Sequence, residues 1–99
     1  MKSSFLVHIV LPDVFTEKLY SLLPAQRDFV NRLMEERSIL TYSLDMGRKN
    51  IWAIFELGSE KALRSILRRQ PIAPFVSYTI HELAFHDAAP IDLPELILN

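Results

Sequence analysis

The chain is poor in the residue types on which many specialised small proteins depend. It has no cysteine and only two glycines among its 99 residues. Without cysteine there is no disulfide framework and no thiolate metal site, a composition that suits the reducing cytoplasm. The 11 basic and 12 acidic residues are mixed along the chain, so it lacks the one-sided basic stripe of nucleic-acid-binding proteins. We therefore expect a cytoplasmic protein with no nucleic-acid partner.

Long hydrophobic runs are also missing. The first apolar run, Phe5 to Leu11, is interrupted by His8 and followed by Pro12, whereas a membrane-spanning helix needs about 20 consecutive apolar residues. Hydrophobic residues nevertheless make up 49% of the chain, which excludes disorder, and its length suffices for one core but not for two. The sequence predicts a single soluble domain without a membrane segment.

Four segments show the hydrophobic patterns of β-strands. Two are apolar at nearly every position, which is typical of strands covered on both faces, and two alternate apolar with polar residues. In chain order, the predicted strands lie near 4–11, 38–46, 50–57 and 75–85. The apolar parity changes near His81 in the last strand, which predicts a β-bulge there.

Two further segments show the three- and four-residue spacing of amphipathic helices. They lie near 16–37 and 59–69, and Pro24 inside the first predicts a kink or a fresh helix start. The order is therefore βαββαβ. Two right-handed crossovers place both helices on one face of a four-stranded sheet, which is the ferredoxin-like arrangement of the α+β class. Because nothing in the chain covers the other face, we expect a homodimer packed sheet to sheet.

Five short stretches carry a family resemblance. They are VLP after the first strand, RLMEE in the first helix, MGRKNIWAIFEL across the hairpin, GSEKAL at the second helix and QPIAPFVSYTIHELAFH in the last strand. Together they resemble the muconolactone isomerase family, small proteins of the dimeric α+β barrel group that act in the catabolism of aromatic compounds. The resemblance implies a domain over residues 1–87 and a tail over 88–99 that packs on a neighbouring subunit. It also implies a homodimer or a larger oligomer of dimers.

The resemblance further implies an intramolecular isomerase that uses no cofactor. This family moves a proton between two carbons of an unsaturated lactone, which requires an acid/base group and an anchor for the substrate carboxylate. The favoured acid/base in the family is a glutamate on the first helix, and an ungapped alignment puts Gln26 there. A one-residue slip would put Arg27 there instead. Because glutamine exchanges no proton at a useful pH, the alternative function is a non-catalytic small-molecule-binding or assembly module.

Three residues are candidates for the chemistry. Gln26 lies in the apolar stripe of the first helix, so its amide needs either a structural partner or a ligand. His8 is either a satisfied core residue or the proton carrier that replaces the missing glutamate. Tyr42 is the second candidate for that replacement.

Three other residues are candidates for substrate binding. Trp52 and Tyr78 either line a cavity for an aromatic ligand or belong to an ordinary core. Arg48 lies in the hairpin, where the family often has a histidine, and it is either an anion anchor or a solvated cation. His81 and His86 lack a clear third ligand, so we predict no metal site.

Overall fold

The computed structural model describes residues 1–90 and confirms the predicted βαββαβ order. The elements are β1 (Ser3–Val10), α1 (Glu17–Glu35), β2 (Ile39–Leu44), β3 (Asn50–Leu57), α2 (Glu60–Arg69) and β4 (Ser77–Leu83), with a 3₁₀ turn at Ala73–Phe75. The strands form one antiparallel sheet in the order β2-β3-β1-β4. No helix within residues 1–90 is long and apolar enough to span a membrane. The tail predicted to pack on a neighbour falls mostly at 91–99, outside the described residues.

Helix α1 is fixed at both ends by local hydrogen bonds. The Thr16 hydroxyl oxygen accepts the backbone N–H of Leu19 at 3.2 Å, which caps the first turn. At the other end Arg37 adopts a left-handed backbone with φ 62°, and the Ser38 N–H donates to the Leu33 carbonyl at 2.9 Å. This is a Schellman ending, which glycine usually occupies because a side chain strains the left-handed conformation.

Of the two outcomes expected at Pro24, the fresh helix start is wrong, because α1 is a single helix through this residue. Proline lacks the N–H that would bond to the carbonyl of Tyr20, four residues earlier. Both residues lie on the exposed side of the helix, so water can solvate the freed carbonyl. The helix therefore continues and buries Leu19, Gln26 and Val30 against the sheet.

One face of the sheet packs on both helices and forms the core. Phe5, Val7 and Ile9 of β1 are each no more than 1% exposed, and they lie beside Phe55, Ala53 and Ile51 of β3 in register. The buried residues of α1 and α2 complete one continuous cluster with them. Removal of these side chains from water supplies the main driving force for folding.

The sheet contains a β-bulge, but in a different strand from the predicted one. In β4 the pairing with β1 is regular from Ser77 to Leu83, so the predicted bulge near His81 is wrong. The register shifts instead in β2, between Ile39 and Thr41. The apolar positions of β4 change parity because Tyr78 and Ile80 lie on the helix face of the sheet, whereas Leu83, which is paired with Ser4, lies on the other face.

The second face of the sheet, here called the outer face, is packed against neither helix and is partly exposed within residues 1–90. It carries Leu6 and His8 of β1, Trp52 and Ile54 of β3, and their neighbours on β4. Trp52 is 40% exposed although it lies in a central strand. Within residues 1–90, the outer face of β3 is therefore covered at Ile54, which is 9% exposed, and open at Trp52.

A candidate anion-binding cavity

A cavity of about 340 Å³ lies between α1, the hairpin that joins β2 to β3, and the helix side of the sheet. Its size is within the range of small-molecule sites. Most of its wall is apolar, and four polar side chains interrupt it. The lining residues are Leu11, Phe15, Leu23, Gln26, Arg27, Val30, Tyr42, Leu44, Arg48, Ile51 and Ile72.

Gln26 lies in the wall of this cavity with both ends of its amide occupied. It is 6% exposed. Its Nε2 donates to Oε1 of Gln70 at 3.0 Å, and its Oε1 accepts the backbone N–H of Ile72 at 3.3 Å. These bonds tie α1 to the segment that follows α2. The structural partner that the sequence required is therefore Gln70, together with the Ile72 backbone.

In the described part of the chain, the side-chain amide of Gln70 has a hydrogen-bond partner at its oxygen and none at its nitrogen. Gln70 is 5% exposed, and its Nε2 has no hydrogen-bond partner among residues 1–90. A buried amide donor without a partner typically costs about 1–3 kcal/mol. Within residues 1–90, Gln70 therefore has an unpaired donor beside Gln26.

Tyr42 of β2 faces the same cavity and presents a neutral phenol. Burial raises the pKa of its hydroxyl, while the neighbouring Gln26 amide and the positive charge of Arg27 act in the opposite direction. Because the net pKa shift is upward, the phenol is protonated at neutral pH. Tyr42 can therefore donate a hydrogen bond to a ligand, but it is a poor general base.

Two exposed guanidinium groups, Arg27 and Arg48, stand at the edge of the cavity. Arg27 follows Gln26 on α1, and Arg48 extends from the β2–β3 turn with a left-handed backbone of φ 58°. Among residues 1–90, the lining side chains include no carboxylate and no imidazole. Guanidinium groups are the preferred partners of carboxylates because they can donate two parallel hydrogen bonds. The cavity thus combines an apolar interior with a cationic edge.

The carboxylate of Asp45 fixes the conformation of the turn that carries Arg48. Its Oδ1 accepts the backbone N–H groups of Lys49 and Asn50 at 2.9 and 3.1 Å, and its Oδ2 accepts Nδ2 of Asn50 at 2.8 Å. The Arg48 N–H also donates to the Asp45 carbonyl at 3.0 Å. The Asn50 side chain first, and then the backbone donors, lower the pKa of the Asp45 carboxyl.

His8 and Trp52 lie on the outer face and do not line the cavity. Their rings are stacked, with centroids 5.2 Å apart and planes 6° apart. His8 Nε2 is 2.8 Å from Oδ1 of Asn50. Because the Asn50 amide already donates to the acceptor-only carboxylate of Asp45, its oxygen faces His8, and His8 Nε2 must carry the proton. His8 is therefore a hydrogen-bonded side chain separated from Gln26 by the sheet.

The structure brings together three of the six residues predicted for the site. Gln26, Tyr42 and Arg48 share the cavity. Tyr78 is on the helix side of the sheet, but it lies towards Arg64 of α2. Arg27 and Phe15 line the cavity although the sequence patterns did not identify them as binding residues; the position of Arg27 beside Gln26 on the helix was the available signal.

Comparison with solved structures shows that the fold is shared with muconolactone isomerase. The two chains superpose with a TM-score of 0.71 at 22% sequence identity, over 90% of this chain and 96% of the other. An uncharacterised protein from Thermotoga maritima superposes with a TM-score of 0.56 at 18% identity, over 84% of this chain and 99% of the other. No family model matches the chain, and no curated protein is significantly similar to it. At these identities the likeness concerns the fold.

Proposed function

We propose that this chain binds a small carboxylic acid with an apolar, aromatic or unsaturated skeleton in the cavity between α1 and the sheet. The observation that carries the proposal is the combination of an apolar interior with Arg27 and Arg48 at its edge. The apolar part of the ligand replaces water inside, and its carboxylate pairs with the guanidinium groups. Tyr42 supplies a neutral hydrogen-bond donor.

We further propose that the chain performs no proton transfer in this cavity. A general base must lie within hydrogen-bond reach of the proton that it removes, and its pKa should be near the working pH. The described lining residues offer an amide, a phenol with a raised pKa and two guanidinium groups. This set supports the binding module over the isomerase, in a protein that retains the fold associated with the breakdown of aromatic compounds.

Ligand titration tests carboxylate binding. Phenylacetate and the neutral phenylacetamide have the same ring, so a preference for the acid measures the cationic edge of the cavity. We expect Arg27→Gln and Arg48→Gln each to weaken phenylacetate binding by about two- to fivefold, as for the loss of one solvent-exposed ion pair. Arg68→Gln on α2, which removes an exposed arginine away from the cavity, is the matched control. Equal binding of acid and amide, or equal losses in all three variants, would contradict the proposal.

Lactone isomerisation is the second candidate function, because the fold is shared with muconolactone isomerase over 96% of that protein. The cavity also lies beside Gln26, where the ungapped alignment places the family's glutamate. The test is turnover of muconolactone by wild type, Gln26→Glu, Tyr42→Phe and His8→Ala. We expect no turnover by the wild type and a gain in Gln26→Glu. The introduced carboxylate can be tolerated because Gln70 can turn its free Nε2 towards it. Wild-type turnover that Tyr42→Phe or His8→Ala abolishes would instead establish an isomerase.

We also propose that the working form is a homodimer in which two outer faces pack together. The support is the apolar character of this face, where the half-buried Leu6, the buried Ile54 and the 40% exposed Trp52 lie side by side. Large exposed apolar patches on soluble proteins commonly mark interfaces. Sedimentation at micromolar concentration is expected to give a dimer or a larger oligomer of dimers. A stable monomer under these conditions would refute this part of the proposal.

A further inference from the structure

A second cavity, of about 360 Å³, adjoins the first at the start of α1 and the β2–β3 turn. Phe15, Leu23 and Arg48 line both cavities. The two cavities therefore adjoin along these three side chains, and they are called here the deep lobe and the outer lobe of one groove. The deep lobe is the cavity between α1 and the sheet, and the outer lobe lies along Pro12 and the hairpin turn.

Cationic side chains occur in both lobes. Arg27 and Arg48 line the deep lobe, and Arg48 and Lys49 line the outer lobe. The outer lobe also contains an acid, Asp13, whose Oδ1 lies 3.2 Å from Nζ of Lys49. The side chain of Lys49 is 59% exposed and that of Asp13 is 84% exposed. Such solvated pairs contribute little and exchange partners readily.

We propose that the groove binds a dianion, an apolar ring-sized acid with two anionic groups on neighbouring positions of the ring, both directed towards the side of Arg48. This inference rests on the proposed carboxylate binding in the deep lobe and adds a second anionic group in the outer lobe. A single carboxylate uses Arg27 and Arg48 and leaves Lys49 with Asp13. A second anionic group on the same ligand pairs with Lys49 in place of Asp13, and the Asp13 carboxylate is then solvated by water. Asp13 is therefore an internal competitor of the ligand.

Three probes that differ in charge and in the number of acetate arms test this inference. The dianion is 1,2-phenylenediacetate, its monomethyl ester has the same skeleton with one charge, and phenylacetate has one charge and no second arm. Binding is followed at low ionic strength, where exposed charges are least screened, by titration of the ¹⁵N-labelled protein. We expect the dianion to bind about two- to fivefold more tightly than the monoester, as for one exposed ion pair. The amides of Gly47 and Lys49 should respond more strongly to the dianion.

Asp13→Asn gives the more discriminating result, because it removes the carboxylate that competes with the ligand and leaves the Lys49 ammonium in place. This variant should bind the dianion about two- to fivefold more tightly than wild type, with little change for the monoester. Lys49→Gln should abolish the advantage of the dianion. Asp28→Asn is the matched control, because it makes the same change of charge at an exposed position of α1 that lines neither lobe.

Two results would overturn the inference in distinguishable ways. The first result is that wild type binds the dianion and the monoester equally well, or that Asp13→Asn and Asp28→Asn increase the affinity for the dianion by the same factor. Either outcome refutes a site for the second anionic group and leaves carboxylate binding in the deep lobe intact. Failure of all three acids to bind overturns this inference and the proposed function together.

Discussion

Gln26 offers a quantitative test of how the cavity wall is held. Replacement by methionine preserves approximate size and removes both hydrogen-bonding ends. The Ile72 N–H then loses its acceptor and Oε1 of Gln70 loses its donor. Each newly unpaired buried group costs about 1–2 kcal/mol, and relief from burying the Gln26 amide returns about 1 kcal/mol. Gln26→Met should therefore destabilise the protein by about 1–3 kcal/mol, or roughly 5–20 °C in Tm for a domain of this size.

A double-mutant cycle separates this network from simple packing. Gln70→Leu removes the amide whose Nε2 lacks a partner among residues 1–90, so it should cost less than Gln26→Met. The double variant leaves only the Ile72 N–H unpaired, and its cost should fall short of the sum by about 1–2 kcal/mol, as for contacting residues. Urea unfolding at one fixed protomer concentration measures all three variants, because the proposed dimerisation would make stability depend on concentration. A cost below about 0.5 kcal/mol for Gln26→Met, with additive single effects, would refute the reasoning.

Three further predictions concern the turn, the outer face and the end of α1. Asp45→Asn should lower Tm at pH 7. The lowered pKa of Asp45 means that the wild type keeps this contribution above about pH 4 and loses it as pH falls through that pKa; a difference in Tm that does not shrink as the pH is lowered below about 4 would contradict this. Trp52→Glu puts a charge on the outer face and should give a monomer in sedimentation, whereas a retained dimer would place the interface elsewhere. Arg37→Gly should stabilise the fold by about 0.5–1 kcal/mol by relieving the left-handed backbone, and an unchanged urea midpoint would count against strain there.

The fold was predictable because its signals are local. The change from a two-residue to a three- or four-residue hydrophobic period marks each element, and Ser59 with Glu60 marks the start of α2. The β2 bulge was not predictable, because it depends on which residue of β2 faces Phe55 across the sheet. The continuity of α1 through Pro24 depends on the solvation of one carbonyl, which a sequence pattern does not reveal.

The candidate site was only partly predictable, because it is assembled from distant segments. Gln26 could be singled out as a polar residue in an apolar stripe, but its partner Gln70 lies 44 residues away along the chain. From the sequence, His8 and Tyr42 were alternative candidates, His8 as the polar residue in an apolar run and Tyr42 as a member of the apolar side of an alternating strand. The pairing register separates them, because it puts His8 opposite Trp52 on the outer face and Tyr42 opposite Ala53 on the helix face.

The most direct test of the central claim is where a carboxylic acid binds. Intermolecular NOEs between the ring protons of phenylacetate and the methyl groups of the labelled wild-type protein report this position. Binding in the proposed cavity predicts NOEs to Leu23, Val30 and Ile51, which line it. NOEs to Leu6 and Ile54 on the outer face, or no intermolecular NOE at saturating ligand, would contradict the account.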